Sequence, residues 1–306
     1  MWHNRPMTFR GDVERGAPRA RRAGGGGGGR IAVGGGVGTL LLVGLFLLMG
    51  GNPNELGSLL GSDPGAQQQQ LPSGEQSQTL DHCQTGEDAN RYTDCRLEFT
   101  AKSLDEVWRK VLPAQADIAY TEPGLSIFSG QAQTGCGVAS SQTGPFYCPT
   151  DQTAYFDTDF FTMLEQLGGK DSPLAQEYVV AHEFGHHIQQ LEGTLGLSNY
   201  NQPGEDSNAV RIELQADCYA GLWAHYADKG QDAFLEPITQ DQVRDAVTAA
   251  RAVGDDNIQT RSGGRVRPDM FTHGSSEQRQ QAFLAGYSTG QMSTCDTLER
   301  GGYRTS

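Results

Sequence analysis

The sequence predicts an α+β fold: one folded domain over 80–303, with a small sheet and a set of site-building helices, preceded by one transmembrane helix and a disordered linker. Three observations carry this reading. A charge-free apolar run occupies 31–49. A stretch rich in glycine, proline and glutamine follows over 51–79. Beyond it, short strand-like segments at 125–129, 146–148 and 153–156 give way to helical patterns at about 173–191, 207–228 and 239–253, with a shorter one near 276–287. At 306 residues the chain is long enough for a substantial core, but its hydrophobic fraction of 36% is low, so part of it should not pack.

The N-terminal elements are read from charge and length. Residues 1–30 form an Arg/Gly-rich tail with seven arginines against Asp12 and Glu14. The apolar run would span roughly 28 Å as a helix, close to the hydrocarbon thickness of a bilayer. It is longer than a signal-peptide core, and no small-residue cleavage site follows it. A membrane helix over 31–50 is therefore expected. Arginines precede it, and no Lys or Arg follows until Arg91, which places the N-terminus in the cytoplasm and the body outside. The stretch 51–79 cannot bury enough apolar surface to offset its chain entropy and reads as a flexible linker. The rest of the chain carries 16 basic and 35 acidic residues, and such a body repels phosphate backbones, so nucleic acid is excluded as a partner.

All six cysteines fall in the body, an even count that suits disulfides outside the cytosol. Spacing suggests Cys83 with Cys95 and Cys136 with Cys148 as local loops, leaving Cys218 with Cys295. Fifteen pairings are possible, and spacing alone does not choose among them. A cysteine zinc site lacks any C-x2-C spacing. Ser103 and Glu106 read as a capping box ahead of Leu104, Val107, Trp108 and Val111 at helical spacing.

The chemistry concentrates on the helical half. Ser172 and Pro173 open a helix that Gly193 closes, and inside it lie His182, Glu183, Phe184, Gly185 and His186. Histidines four apart share one helix face and can reach one ion, with Glu183 beside them to take a proton from metal-bound water. Tyr178, Val179, Val180, Ala181 and Phe184 mark the segment as buried, where idle histidines and a glutamate would be costly. His187 is rotated about 100° from His186 and reads as a packing or surface residue. A metzincin third ligand fails, because positions 189 and 192 are Gln and Glu. The next helix offers Glu213 and Asp217, four apart and flanked by apolar residues. Glu213 is expected as the third Zn2+ ligand. Asp217 is expected to orient a ligand histidine through its other ring nitrogen, with the reverse assignment as the alternative. His273, ahead of Ser275 and Arg279, is a candidate donor to the oxyanion of peptide hydrolysis, or else a bystander to a helix cap by Ser275. Tyr147 and Tyr155 are the next donor candidates, and 153–156 is a candidate sheet edge for an extended peptide.

These residues resemble the bacterial predicted neutral zinc metallopeptidase family, single-span membrane proteins with an arginine-rich N-terminus. The similarity covers about 81–300 and is carried by Cys136 through Pro149, Tyr155 to Asp157, Phe160 and Phe161, Glu177 to Gln189, Glu213 to Gly221 and His273 to Arg279. It implies a zincin-like metallopeptidase domain with His182, His186 and Glu213 as zinc ligands, Glu183 as catalytic base, and Asp217 in the Glu-x-x-x-Asp pattern of gluzincin-type peptidases. The expected function is a membrane-anchored peptidase acting on a peptide or protein substrate through Glu-assisted attack of zinc-bound water. The alternative is a non-catalytic envelope scaffold with a structural zinc, which would need four protein ligands and no role for Glu183.

Overall fold

A computed structural model describes residues 8–22, 80–140 and 143–304. The expected transmembrane helix over 31–50 and linker over 51–79 lie outside the described residues. Among the described residues no helix is long and apolar enough to cross a membrane.

The N-terminal part of the fold comprises β1 (Arg21–Arg22), α1 (Gly86–Arg91) and α2 (Thr93–Ala116). Five strands follow: β2 (Gly124–Phe128), β3 (Gln131–Thr134), β4 (Gly137–Ser140), β5 (Phe146–Cys148) and β6 (Thr153–Asp157). Helices α3 (Phe160–Gln166), α4 (Pro173–Glu192), α5 (Asn208–Tyr226), α6 (Gln240–Ala252), α7 (Asp255–Arg261) and α8 (Ser276–Thr289) complete it. Among the described residues the mixed α+β architecture has two small sheets and eight α-helices.

The main sheet has the order β1-β2-β6-β5. β1 and β6 both run parallel to β2, and β5 closes the far edge antiparallel to β6, with Phe146 opposite Tyr155. The strand 153–156, expected as an edge, is therefore interior, and β5 is the edge next to the site. β3 and β4 form a separate antiparallel hairpin. The predicted capping box at Ser103 is also corrected. Ser103 lies inside α2, fully packed, and its Oγ accepts a hydrogen bond from Trp223 Nε1 at 3.1 Å.

Three helix starts follow their sequence signals. Ser172 and Pro173 begin α4, which ends at Gly193 in the left-handed region (φ +71°). Ser207 caps α5 by accepting from the Val210 amide at 3.2 Å. Ser275 and Gln278 form a capping box on α8. Small residues then let the helices approach closely. A Cβ on Gly185 would sit 2.9 Å from Ala216 Cα, so glycine is what lets α4 lie against α5. A Cβ on Gly221 would collide with the Phe283 carbonyl, and one on Gly286 with the Cys218 carbonyl, which brings α8 onto α5. Phe184, Tyr219, Trp223 and Trp108 fill the core around these crossings. Disulfides join Cys83 to Cys95, Cys136 to Cys148 and Cys218 to Cys295, the pairing that spacing suggested.

Residues 8–22 do not form a separate tail. Phe9 is wholly buried against Phe99 and bridges to Leu235. The Asn90 side chain accepts from the Thr8 and Phe9 amides and donates to the Phe9 carbonyl. The segment then crosses α1 and α2 and adds β1 to the sheet. An arginine-rich stretch carries no hydrophobic alternation, so its strand left no pattern in the sequence.

Candidate active site

Helices α4 and α5 cross at Gly185 and Ala216, and this crossing sets the site. His182 and His186 project from α4 and Glu213 from α5, all buried. One donor atom from each lies within 4.8 Å of the others. His182 Nε2 is 3.2 Å from Glu213 Oε2, and His186 Nε2 is 3.6 Å from Glu213 Oε1. Two imidazoles and one carboxylate converging in this way suit a zinc ion and leave a coordination position open.

The ring nitrogens facing away from that point are fixed. His182 Nδ1 lies 2.8 Å from Asp217 Oδ1, and His186 Nδ1 lies 2.8 Å from Gln189 Oε1. Gln189 is itself anchored by donating to the Ile212 carbonyl at 2.7 Å. Both rings thus present Nε2 to the shared point, the arrangement that orients metal-binding histidines. Asp217 accepts from Arg279 Nε at 2.8 Å and Nη2 at 3.0 Å, and from the Tyr178 hydroxyl. Burial works against its charge, but Arg279 and His182 outweigh that and hold its pKa below the ordinary value. Burial likewise disfavours a charged His182, yet Asp217 and Glu213 raise its pKa to about 10. The pocket therefore favours positive charge at this imidazole, which a bound cation would supply in place of the proton.

Glu183 faces the same cavity, and burial pushes its carboxyl pKa up against the pull of His182 and His186. His273 lines the cavity too. Its ring is aimed by Asp255, whose Oδ1 lies 3.3 Å from His273 Nδ1 and whose Oδ2 accepts the amides of Thr272, His273 and Gly274. Burial opposes the His273 cation, but Asp255 prevails and raises its pKa. The cap by Ser275 and the cavity-lining histidine are both present. Arg279 is fully occupied by Asp217, Tyr178 and the Val253 carbonyl.

The fallback oxyanion donors are not free. The Tyr147 hydroxyl pairs with His187 Nδ1 at 3.0 Å, and that of Tyr155 donates to Asp151 at 2.7 Å. His187 is buried beside them with its pKa lowered to about 4, chiefly by burial, and is a packing residue. Sequence reasoning missed Asp255, Gln189 and Tyr200, whose hydroxyl donates to Glu213 Oε1 at 3.3 Å. Gln189 stood three residues beyond His186, within reach of a helical-spacing argument. Asp255 opens α7 and Tyr200 lies between α4 and α5; both are outside the helices that carry the site histidines and Glu213, and they left no local signal.

The cavity has a volume of about 120 Å3. Its lining combines His182, Glu183, His186, Glu213 and His273 with the apolar Phe160, Met163, Leu167, Val179, Val253 and Ile258. The stretch 143–147, which leads into and includes most of β5, also lines it.

Helix-borne histidines, a carboxylate from the following helix and an adjacent glutamate define the class of metallopeptidase-like sites. The chain matches the family described as "Putative neutral zinc metallopeptidase" over residues 2–298, and it belongs to that family. It is 49% identical over 251 residues to an uncharacterized protein of Mycobacterium tuberculosis (strain H37Rv), covering 78% of this chain and 84% of the relative. It is 36% identical over 271 residues to the uncharacterized protein YpfJ of Escherichia coli (strain K12), covering 86% and 87%. No solved structure matches it.

Proposed function

We propose that the protein is a zinc-dependent endopeptidase that hydrolyses peptide bonds beside bulky apolar side chains. One observation carries the reading: His182, His186 and Glu213 converge on a single point, and Glu183 opens onto the same cavity. These three side chains would hold zinc, which when bound supplies Lewis-acid polarisation and lowers the pKa of water towards about 7. Glu183 accepts a proton from the attacking water and returns it to the leaving amine, a double duty that its raised pKa suits. His273, held by Asp255, donates to the oxygen on which negative charge develops. Asp217, Arg279 and Gln189 keep the histidine rings in place.

The cavity supports an endopeptidase. Among the described lining residues, Arg279 is the one guanidinium, and Asp217 neutralises it, so it has no charge to spare for a substrate C-terminus. The lining carboxylates are Glu183 and Glu213, both committed to the chemistry, so neither is left to hold an N-terminal amine. The apolar lining residues Phe160, Met163, Leu167, Val179, Val253 and Ile258 suit an apolar substrate side chain. Among the described residues β5 ends the main sheet, and its outer edge suits alignment of an extended peptide by strand addition.

The test is hydrolysis of internally quenched peptides by the zinc-loaded full chain, with cleavage points read by mass spectrometry. Peptides with Leu or Phe at the central position should be cut internally, at least tenfold faster than those with Gly or Asp. Bound zinc with no cleavage of any peptide contradicts the peptidase reading, and trimming from one end contradicts the endopeptidase reading.

A further inference from the structure

We infer that residues 8–22 lie in the same compartment as the catalytic body, outside the cytosol, because their arginines are the counterions of acidic side chains buried in α2. The alternative topology came from the charge count: arginines before an apolar run keep an N-terminus cytoplasmic. The structure shows where three of those charges go. Arg19 forms an ion pair with Asp105 at 2.8 Å, and its backbone amide donates to Glu98 at 2.8 Å. Arg15 lies 3.9 Å from the other Glu98 oxygen and donates to the Leu80 carbonyl. Arg22 pairs with Asp94.

The contacts of Arg15 and Arg19 are built into the core, while the Arg22–Asp94 pair is partly exposed. Glu98 is 0% exposed and Asp105 is 4% exposed, and both stand on a helix whose other buried residues are largely apolar. Lys102, the other nearby cation on α2, points its ammonium to the Ala17 carbonyl, which belongs to the same N-terminal segment. Removing 8–22 would leave two buried carboxylates without their guanidinium partners, which a fold does not tolerate cheaply. The backbone is committed as well. The Arg15 amide donates to the Gln84 carbonyl, the Gly86 amide to the Val13 carbonyl, and β1 pairs with β2 through Arg21 and Arg22. A chain that crossed a bilayer once between Arg22 and Leu80 would hold these partners on opposite faces, and none of the contacts could form.

The side follows from cysteine chemistry. The bond between Cys83 and Cys95 ties the stretch at Gln84, which accepts the Arg15 amide, to α2. Three disulfides with no free cysteine among the described residues indicate an oxidising compartment for the body, and hence for 8–22. An arginine folded against a buried carboxylate is not a free charge at the membrane surface, so the charge count loses its force here. The inference does not depend on any enzymatic activity.

The test uses cells producing the full chain, with Asp12→Cys or Arg265→Cys, both exposed positions, probed by a membrane-impermeant maleimide. Both should react on intact cells. Reaction of Asp12→Cys only after permeabilisation overturns the inference, however Arg265→Cys behaves. Because an added cysteine can perturb disulfide pairing, hydrogen exchange on the unmodified chain in membranes provides a second readout. The Arg15 and Arg19 amides should be protected at least a hundredfold over free peptide. Unprotected exchange throughout 8–22 overturns it equally.

Discussion

Asp217→Asn isolates the support beneath the metal site. Asp217 is wholly buried and accepts two hydrogen bonds from Arg279, one from Tyr178, and faces His182 Nδ1. Asparagine keeps the shape and one acceptor oxygen but removes the charge. Arg279, itself 3% exposed, is then a buried cation without its hydrogen-bonded counterion. Breaking a buried pair in this way costs about 3–5 kcal/mol, and the retained acceptor places the loss near about 3 kcal/mol. For a domain of this size that is a fall in Tm of about 6–12 °C, read by calorimetry. Independently, His182 loses the carboxylate that raises its basicity, and zinc affinity should fall about 10–100-fold in a chelator competition. Arg279→Met added to Asp217→Asn should recover much of the stability, because the unpaired charge is gone, without recovering zinc affinity. An unchanged Tm together with unchanged zinc affinity in Asp217→Asn would refute the reasoning. Loss of zinc in Asp217→Asn with retention in Glu213→Gln would exchange the two roles.

Further outcomes follow from the same geometry. His273→Ala should leave zinc content intact and lower turnover by about 100–1000-fold, with Asp255→Asn showing a smaller loss of the same kind, since it acts through His273 and the backbone that carries it; unchanged turnover in His273→Ala makes that histidine a bystander. Glu177 is fully buried near Arg96 and Thr8, and burial raises its pKa to about 8. The folded state then holds a proton that the unfolded state releases above about pH 4.5, so stability should fall as pH rises from about 5 to 8. Glu177→Gln should flatten that slope and raise stability at pH 8 by a few kcal/mol (about 3–5) in urea titrations, and an unchanged slope contradicts the assignment. Gly185→Ala places a methyl against the Ala216 backbone. It should cost about 1–3 kcal/mol and weaken zinc binding by moving His186 away from Glu213, and retention of both properties would mean that the crossing has slack.

The site was more legible than the fold around it. His182, Glu183 and His186 declared themselves because a helix repeats on a fixed period, so four-residue spacing becomes a shared face before any tertiary structure is known. Glu213 and Asp217 were readable for the same reason. Asp255 and Tyr200 were not, because they reach the site from the start of α7 and from the α4–α5 connection, whose positions depend on long-range packing. The helices α4, α5, α6 and α8 followed from period and caps. The β3–β4 hairpin lacks strong alternation, and β1 consists of two arginines. Ser103 and Glu106 mimicked a helix start because a capping box is a local pattern, and within α2 the hydroxyl serves Trp223 instead. The arginines at 15, 19 and 22 show the same limit: a charge count has no access to the carboxylates that a fold will bury beside them.

The central claim is that Glu183 moves protons at a metal centre held by other residues. Its direct test compares zinc content and peptide hydrolysis in the wild-type chain and in Glu183→Gln, a nearly isosteric change on the same helix turn. Zinc should remain near one per chain in both, while hydrolysis of a Leu-centred quenched peptide falls by several powers of ten in Glu183→Gln. Undiminished hydrolysis with zinc in place would contradict the account.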